Sequence, residues 1–187
     1  MDKLSSKQRI ELRKVEKLDF HHGKDRNIVC WKIGWMPNST QSFRTNIVES
    51  ILPACRIFDL EVWTSQIDCI SDLPDPLSVF IDRTDTFRHV FLLFKTTVEW
   101  ISIEKEQDNI VIQSSRNKMA LIRYRMQSER SNPRQKKKVF KIQTPIRNIR
   151  MEMIKETLGE QLKLGYCLLT ANCQTFAMAI LSRLDLV

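Results

Sequence analysis

"RHVFLLFKTTVEWISIEKEQDNIVIQSS", residues 88 to 115, decides how the rest of the chain must be arranged. Three runs, 88–97, 98–107 and 109–115, are apolar or alternating, and plausible turns separate them at Thr96–Thr97 and Gln107–Asp108–Asn109. Runs this short and this close together predict an antiparallel meander. Its apolar side chains need covering elements, and two later stretches have the helical spacing to supply them. Thr144–Pro145 offers a hydroxyl N-cap and a proline at the first helical position, followed by Ile146, Ile149, Met153, Ile154 and Leu158. A final helix is expected from about Asn172 to Arg183, with Phe176, Ala177, Ile180, Leu181 and Leu184 as its inward stripe. The fold class expected is α+β, an antiparallel sheet packed against helices.

Upstream, "SSKQRIELRKVEKLD" (5–19) reads as a short amphipathic helix, although Ile10 and Leu12 also fit a strand. "NIVCWKIGW" (27–35) has the β-branched and aromatic content of a strand. "FRTNIVESIL" (43–52) has Phe43, Ile47 and Ile51 at steps of four and stops before Pro53, as a helix does. "ACRIFDLEVWT" (54–64) is expected to be extended, and "SDLPDPLS" (71–78) breaks structure. The length favours a single domain with at most a small appendage; the family resemblance set out below implies an N-terminal subdomain or cap over 1–80 and a core over 81–187. Within the core, "MALIRYRMQ" (119–127) and "KKVFKIQT" (137–144) are expected to pair as a basic hairpin insertion, about 116–141, whose tip is "SERSNPRQ".

The chain has 187 residues, 42% of them hydrophobic, enough for one real core; four glycines and six prolines exclude collagen-like or low-complexity architecture. Five cysteines, at 30, 55, 69, 167 and 173, are odd in number and scattered, without the paired spacing of a zinc site or a disulfide framework. No metal and no cofactor is expected. A reduced, cytoplasmic protein is the simpler reading, as the first residues are charged and no apolar run is long enough for a bilayer span. The formal net charge of +8 favours an acidic partner: nucleic acid, an anionic membrane surface or an acidic protein. Residues 116–141 hold much of that excess with one acidic residue, Glu129, and Arg134, Lys136, Lys137 and Lys138 are the candidate anion-binding group. No zinc-finger, RNA-recognition or KH signature accompanies them.

In "LLTANCQTFAMAIL" (168–181), Asn172 is the best N-cap, which puts Cys173 in the first turn of a helix. Backbone N–H groups and the positive end of the helix dipole there favour a thiolate and can also bind an oxyanion. Burial as a small hydrophobe is the competing reading. A nucleophilic cysteine needs a base, and there are three histidines. His21 and His22 lie in the polar turn "DFHHGKDR", whereas His89 opens the most apolar strand of the chain.

A histidine starting a strand ("RHVFLLFKT"), a following strand with polar side chains ("EWISIEK") and a later "NCQTF" box opening a helix resemble the circularly permuted papain-like families. These are the lecithin:retinol acyltransferase-like and NlpC-related proteins and the PPPDE peptidases. The resemblance covers about residues 86–184, and even "YCLLTANCQTFA" is similar to the family's tyrosine, apolar run, Asn-Cys and phenylalanine. It implies a permuted papain-like core with the nucleophile, Cys173, at the N-terminus of the C-terminal helix and His89 as its base. The acyltransferase-like members usually carry a second histidine on the next strand and often one before the box phenylalanine; neither is present here, and Thr175 takes the latter place.

The third group must then come from elsewhere. A hairpin centred near residues 96 and 97 puts Glu104 opposite His89, with Ser102 on the same side; Gln113 on the third strand is another orienter or an oxyanion donor, and Asn172 a further polar candidate. A one-residue slip would put Ile103 or Lys105 there instead. The chemistry expected is acyl transfer from an acyl-bearing protein or small molecule through a thioester, cleaving an amide, isopeptide or ester bond. Two alternatives stay open. One is a non-catalytic papain-like module that binds an anionic partner through 116–141, with Tyr124 available to stack; the other is a lipid acyltransferase or phospholipase at a membrane surface.

Overall fold

The computed structural model describes residues 15–20, 28–66, 88–123, 137–141, 149–167 and 170–186. Among these residues, seven strands in chain order are β1 (Val15–Phe20), β2 (Ile28–Gly34), β3 (Ile57–Gln66), β4 (Arg88–Thr96), β5 (Trp100–Lys105), β6 (Asn109–Ser115) and β7 (Lys137–Lys141). Four helices are α1 (Gln41–Ile51), α2 (Lys118–Arg123), α3 (Glu152–Leu164) and α4 (Cys173–Arg183). The strands form one sheet in the order β1-β2-β6-β5-β4-β3-β7, and every neighbouring pair is antiparallel. The architecture is α+β. Strands from both sides of residue 80 share the sheet: β2 pairs with β6 and β3 with β4.

The meander β4-β5-β6 is its centre. Backbone alternation gives each strand one face of branched apolar residues. Val90, Leu92, Phe94, Ile101, Ile103, Ile110 and Ile112 pack with Ile33 and Leu60 against helices α1, α3 and α4, which contribute Ile47, Val48, Ile154, Leu158, Leu162, Phe176 and Ile180. Burying a side chain of this size is worth about 1.5–3 kcal/mol, so this layer is the main source of stability. The opposite face has a smaller cluster, in which Ala120, Leu121 and Ile122 of α2 cover Ile28 and Leu93 beside Trp63 and Trp100.

α1 begins two residues before the expected Phe43, with the Thr40 hydroxyl accepting from the Phe43 N–H at 3.3 Å, and it stops before Pro53 as expected. It lies close against α3. Arg44 is buried there and donates to the Gly159 carbonyl at 2.7 Å, and a Cβ at Gly159 would stand 2.9 Å from Thr45 Oγ1. Only glycine lets the two backbones approach so closely.

Several expectations are corrected. Residues 15–19, read as the end of a helix, lie in β1, where the unpaired edge of β2 offers backbone partners; Lys17, level with Trp31, sits over its ring at 5.5 Å. Residues 118–123, read as strand, are helix α2. β6 ends at Ser115, whose hydroxyl accepts from Asn117 N–H, and the Asn117 side chain caps Met119 N–H at 3.0 Å. With α2 in that place, no 116–141 hairpin forms between those two segments; β7 pairs with β3 instead. The third helix starts at Glu152. Ahead of it the chain is tied to residues 55–57 by backbone hydrogen bonds, Ile57 N–H donating to the Ile149 carbonyl and Met151 N–H to the Cys55 carbonyl, both 2.9 Å. The breaker segment 71–78, the hairpin tip, Thr144–Pro145 and both His21 and His22 lie outside the described residues. Among the described residues no helix is long and apolar enough to cross a membrane.

Candidate active site

The site stands where β4 begins and α4 begins. Backbone hydrogen bonds between Cys167 and Ala171, 3.2 and 2.9 Å, lead the chain into the turn before α4. Asn172 then caps the helix: its side-chain oxygen accepts from the N–H groups of Gln174 at 2.9 Å and Thr175 at 3.0 Å. The next residue, Cys173, is the first of the helix and 4% exposed. The inward stripe behind it anchors the helix on the sheet, since Phe176, Ala177, Ile180, Leu181 and Leu184 are all buried.

His89, second residue of β4, is what the sulfur meets. Its imidazole hydrogen-bonds the Cys173 thiol, and the N–H groups of Val90 and of Cys173 itself also point at the sulfur. On its other side the ring meets Glu104, with Nε2 2.7 Å from Oε2. A carboxylate only accepts, so Nε2 carries the proton and Nδ1 is the nitrogen left for the sulfur. The Glu104 side chain is 2% exposed and that of His89 16%, so the pair is nearly closed to solvent on the carboxylate side.

Burial pushes the Cys173 thiol pKa up, but the hydrogen bond and the positive charge of His89, with the two N–H groups, outweigh it and hold the pKa below the usual thiol value. The other described cysteines with perturbed pKa values go the opposite way. Burial, reinforced by the Glu104 charge, pushes Cys30 up to about 12, and burial also raises Cys55. Among these three, Cys173 alone has the environment of a reactive thiol.

The hairpin register differs from the simple count. Thr96 and Glu99 close a longer turn, with Thr96 N–H donating to Glu99 O at 3.0 Å and the Thr96 hydroxyl to the same oxygen at 2.7 Å. Phe91, rather than His89, therefore stands opposite Glu104. The shift is two residues, which keeps Glu104 on the same face, and its side chain reaches His89 diagonally.

Ser102 and Gln113, expected as an orienter or an oxyanion donor, face each other across β5 and β6, 3.4 Å apart from hydroxyl to amide oxygen. Ser102 stands opposite Leu93, four residues along β4 from His89, and Gln113 lies one strand further away and hydrogen-bonds Cys30. They form a buried polar row across the sheet. Asn172 holds the helix start. Lys137 and Lys138 lie on edge strand β7, pairing with Thr64 and Trp63, while Arg134 and Lys136 are outside the described residues.

One residue of the site went unassigned in the sequence. Lys105 is fully buried at the end of β5; its Nζ donates to Gln161 Oε1 at 3.1 Å and sits 5.3 Å from the centre of the Trp35 ring. Its charge and that of Cys173 feel each other. The signal was present: Ile101, Ile103 and Lys105 share one face of β5, and a lysine in phase with core isoleucines is rarely buried without a partner.

Among the described residues no group of three or more His, Cys, Asp or Glu side chains is placed to hold a metal ion. No model of a known protein family matches the chain, and no curated protein or solved structure matches it either.

Proposed function

We propose that this chain is a cysteine-dependent acyl-transfer enzyme, with Cys173 as nucleophile, His89 as general base and then acid, and Glu104 as the group that orients the imidazole. The observation that carries the reading is the line Glu104–His89–Cys173, in which one ring bonds a carboxylate at 2.7 Å and also a helix-terminal thiol. The order of histidine strand before cysteine helix, with the sheet packed on α4, supports a permuted papain-like core.

In the cycle, His89 takes the thiol proton and the sulfur attacks the carbonyl carbon of an amide, isopeptide or ester. The tetrahedral intermediate collapses, the C–N or C–O bond breaks, and His89 delivers the proton to the leaving group. Water or another acceptor then attacks the thioester, gives a proton to His89 and releases the acyl group, and the proton returns to the sulfur. The Cys173 and Val90 N–H groups flank the sulfur and are the donors nearest to a developing oxyanion.

The test uses para-nitrophenyl acetate. A nitrophenolate burst matched by an acetyl mass on the Cys173 peptide, absent in Cys173→Ser and at least ~100-fold slower in His89→Ala, supports the reading. Acetylation no faster at Cys173 than at exposed Cys167, and indifferent to His89, overturns it.

A further inference from the structure

A fully buried ammonium is costly to keep unless it has work to do, and the acyl-transfer scheme leaves Lys105 unused. Its position follows from the register. The pair Phe91–Glu104 sets Lys105 one step further along β5, beside Val90 of β4, and the Val90 N–H points at the Cys173 sulfur. Alternation turns Glu104 toward one face and Lys105 toward the other, where α3 and Trp35 lie. Gln161 fixes the ammonium by a 3.1 Å hydrogen bond, and the Trp35 ring, itself anchored by Nε1 donating to Gln107 O at 2.9 Å, faces the charge at 5.3 Å. Both partners are neutral, so they hold the cation without cancelling it.

We propose that Lys105 is a second cationic partner of the Cys173 sulfur, held by Gln161 and Trp35 to stabilise the thiolate alongside the imidazolium of His89. It is a positioning residue acting through charge, and the proposal rests on Cys173 being the nucleophile. Among the described residues, the titratable groups tied to this end of the sheet are His89 from β4 and Glu104 from β5, with Cys30, Lys32 and Glu106 beyond Glu104. Glu104 is paired with His89, while α3 and the segment after β2 present the neutral Gln161 and Trp35. Lys105 thus brings a buried positive charge to the sheet face on which Ile101 and Ile103 pack with α4. Burial draws its pKa down to about 8, and the negative charge of Cys173 pulls the other way, so the ammonium form is present at neutral pH.

The experiment is the pH profile of iodoacetamide alkylation of Cys173 in the full chain, followed by peptide mass spectrometry in the wild type, His89→Ala, Lys105→Met and Lys105→Arg. Lys105→Met is expected to raise the midpoint by about one pH unit, so that alkylation at pH 6 falls about tenfold, and Lys105→Arg is expected to restore most of it. A purely structural lysine moves melting temperature without moving the midpoint. The reciprocal measurement does not depend on Lys105→Met folding: in Cys173→Ser, the Lys105 ε-carbon resonance of labelled protein should titrate at lower pH than in the wild type. An unmoved midpoint in folded Lys105→Met, or an unmoved Lys105 titration in Cys173→Ser, overturns the proposal. The His89→Ala arm separates the two ideas, because wild-type alkylation there sinks the nucleophile reading whatever Lys105 does.

Discussion

Replacing Glu104 by glutamine removes one charge and keeps the shape of the site. A carboxylate 2.7 Å from the Nε2 of a protonated imidazole gains about 6 kcal/mol of Coulomb energy at an effective dielectric of about 20. Desolvating a carboxylate that is 2% exposed offsets several kcal/mol of this, and hydrogen bonds to charged groups net about 1.5–3 kcal/mol. That range equals a factor of about ten to a hundred in an equilibrium constant. Since His89 is the chief group holding the Cys173 thiol pKa down against burial, Glu104→Gln should raise that pKa and slow alkylation below neutral pH by about ten- to a hundredfold. The assay compares Cys173 with exposed Cys167 by peptide mass spectrometry over pH 5–9, with thermal melting as the folding control. A folded Glu104→Gln protein whose Cys173 profile overlays the wild type would refute the charge argument. So would faster alkylation.

Three further outcomes follow. Lys105 has a folded pKa of about 8 against an ordinary 10.5, so the unfolded chain binds more protons between those values, and a stability penalty present below pH 8 is relieved as pH rises to 10.5. Lys105→Met should therefore melt higher at pH 7, by at most about 3 kcal/mol, and chemical denaturation should show this advantage shrinking toward pH 10.5; an advantage that is absent or flat with pH contradicts it. Cys30, with its thiol pushed up to about 12, should resist alkylation at pH 8 until the protein is unfolded, and it should make stability fall from pH 9 toward 12, because only the unfolded chain readily loses that proton. Asn172→Ala frees two capped N–H groups and should cost about 1 kcal/mol in denaturant titrations, with Asn172→Asp retaining most of the cap.

The parts of the fold legible in the sequence were those governed by local chemistry. The Asn172 cap, the stop at Pro53 and the alternating runs of β4 to β6 each rest on neighbours a few residues apart. The misread segments are decided by distant partners. Val15–Phe20 becomes strand because β2 presents an open edge, and 118–123 becomes helix because Ile28 and Leu93 offer an apolar surface to Ala120, Leu121 and Ile122. Ile149 is drawn out of its helical pattern by backbone bonds to residues 55–57. The candidate site shows the same division. Glu104 was reachable by counting because a two-residue register error keeps the face, whereas the burial of Lys105 depends on Trp35 and Gln161, which no local pattern joins to it.

Glu104 and Lys105 are chain neighbours on opposite faces of β5, one meeting the imidazole and the other turned toward the sulfur's side. Deleting a single residue within β5 ahead of them would rotate the strand by half a pleat and exchange the two. Ammonium would then confront imidazolium and carboxylate would confront thiolate, so the polarity of the whole site would invert. A change that leaves both residues in the chain would undo the arrangement more thoroughly than replacing either one, so the dipeptide's phase, rather than its composition, sets the polarity there.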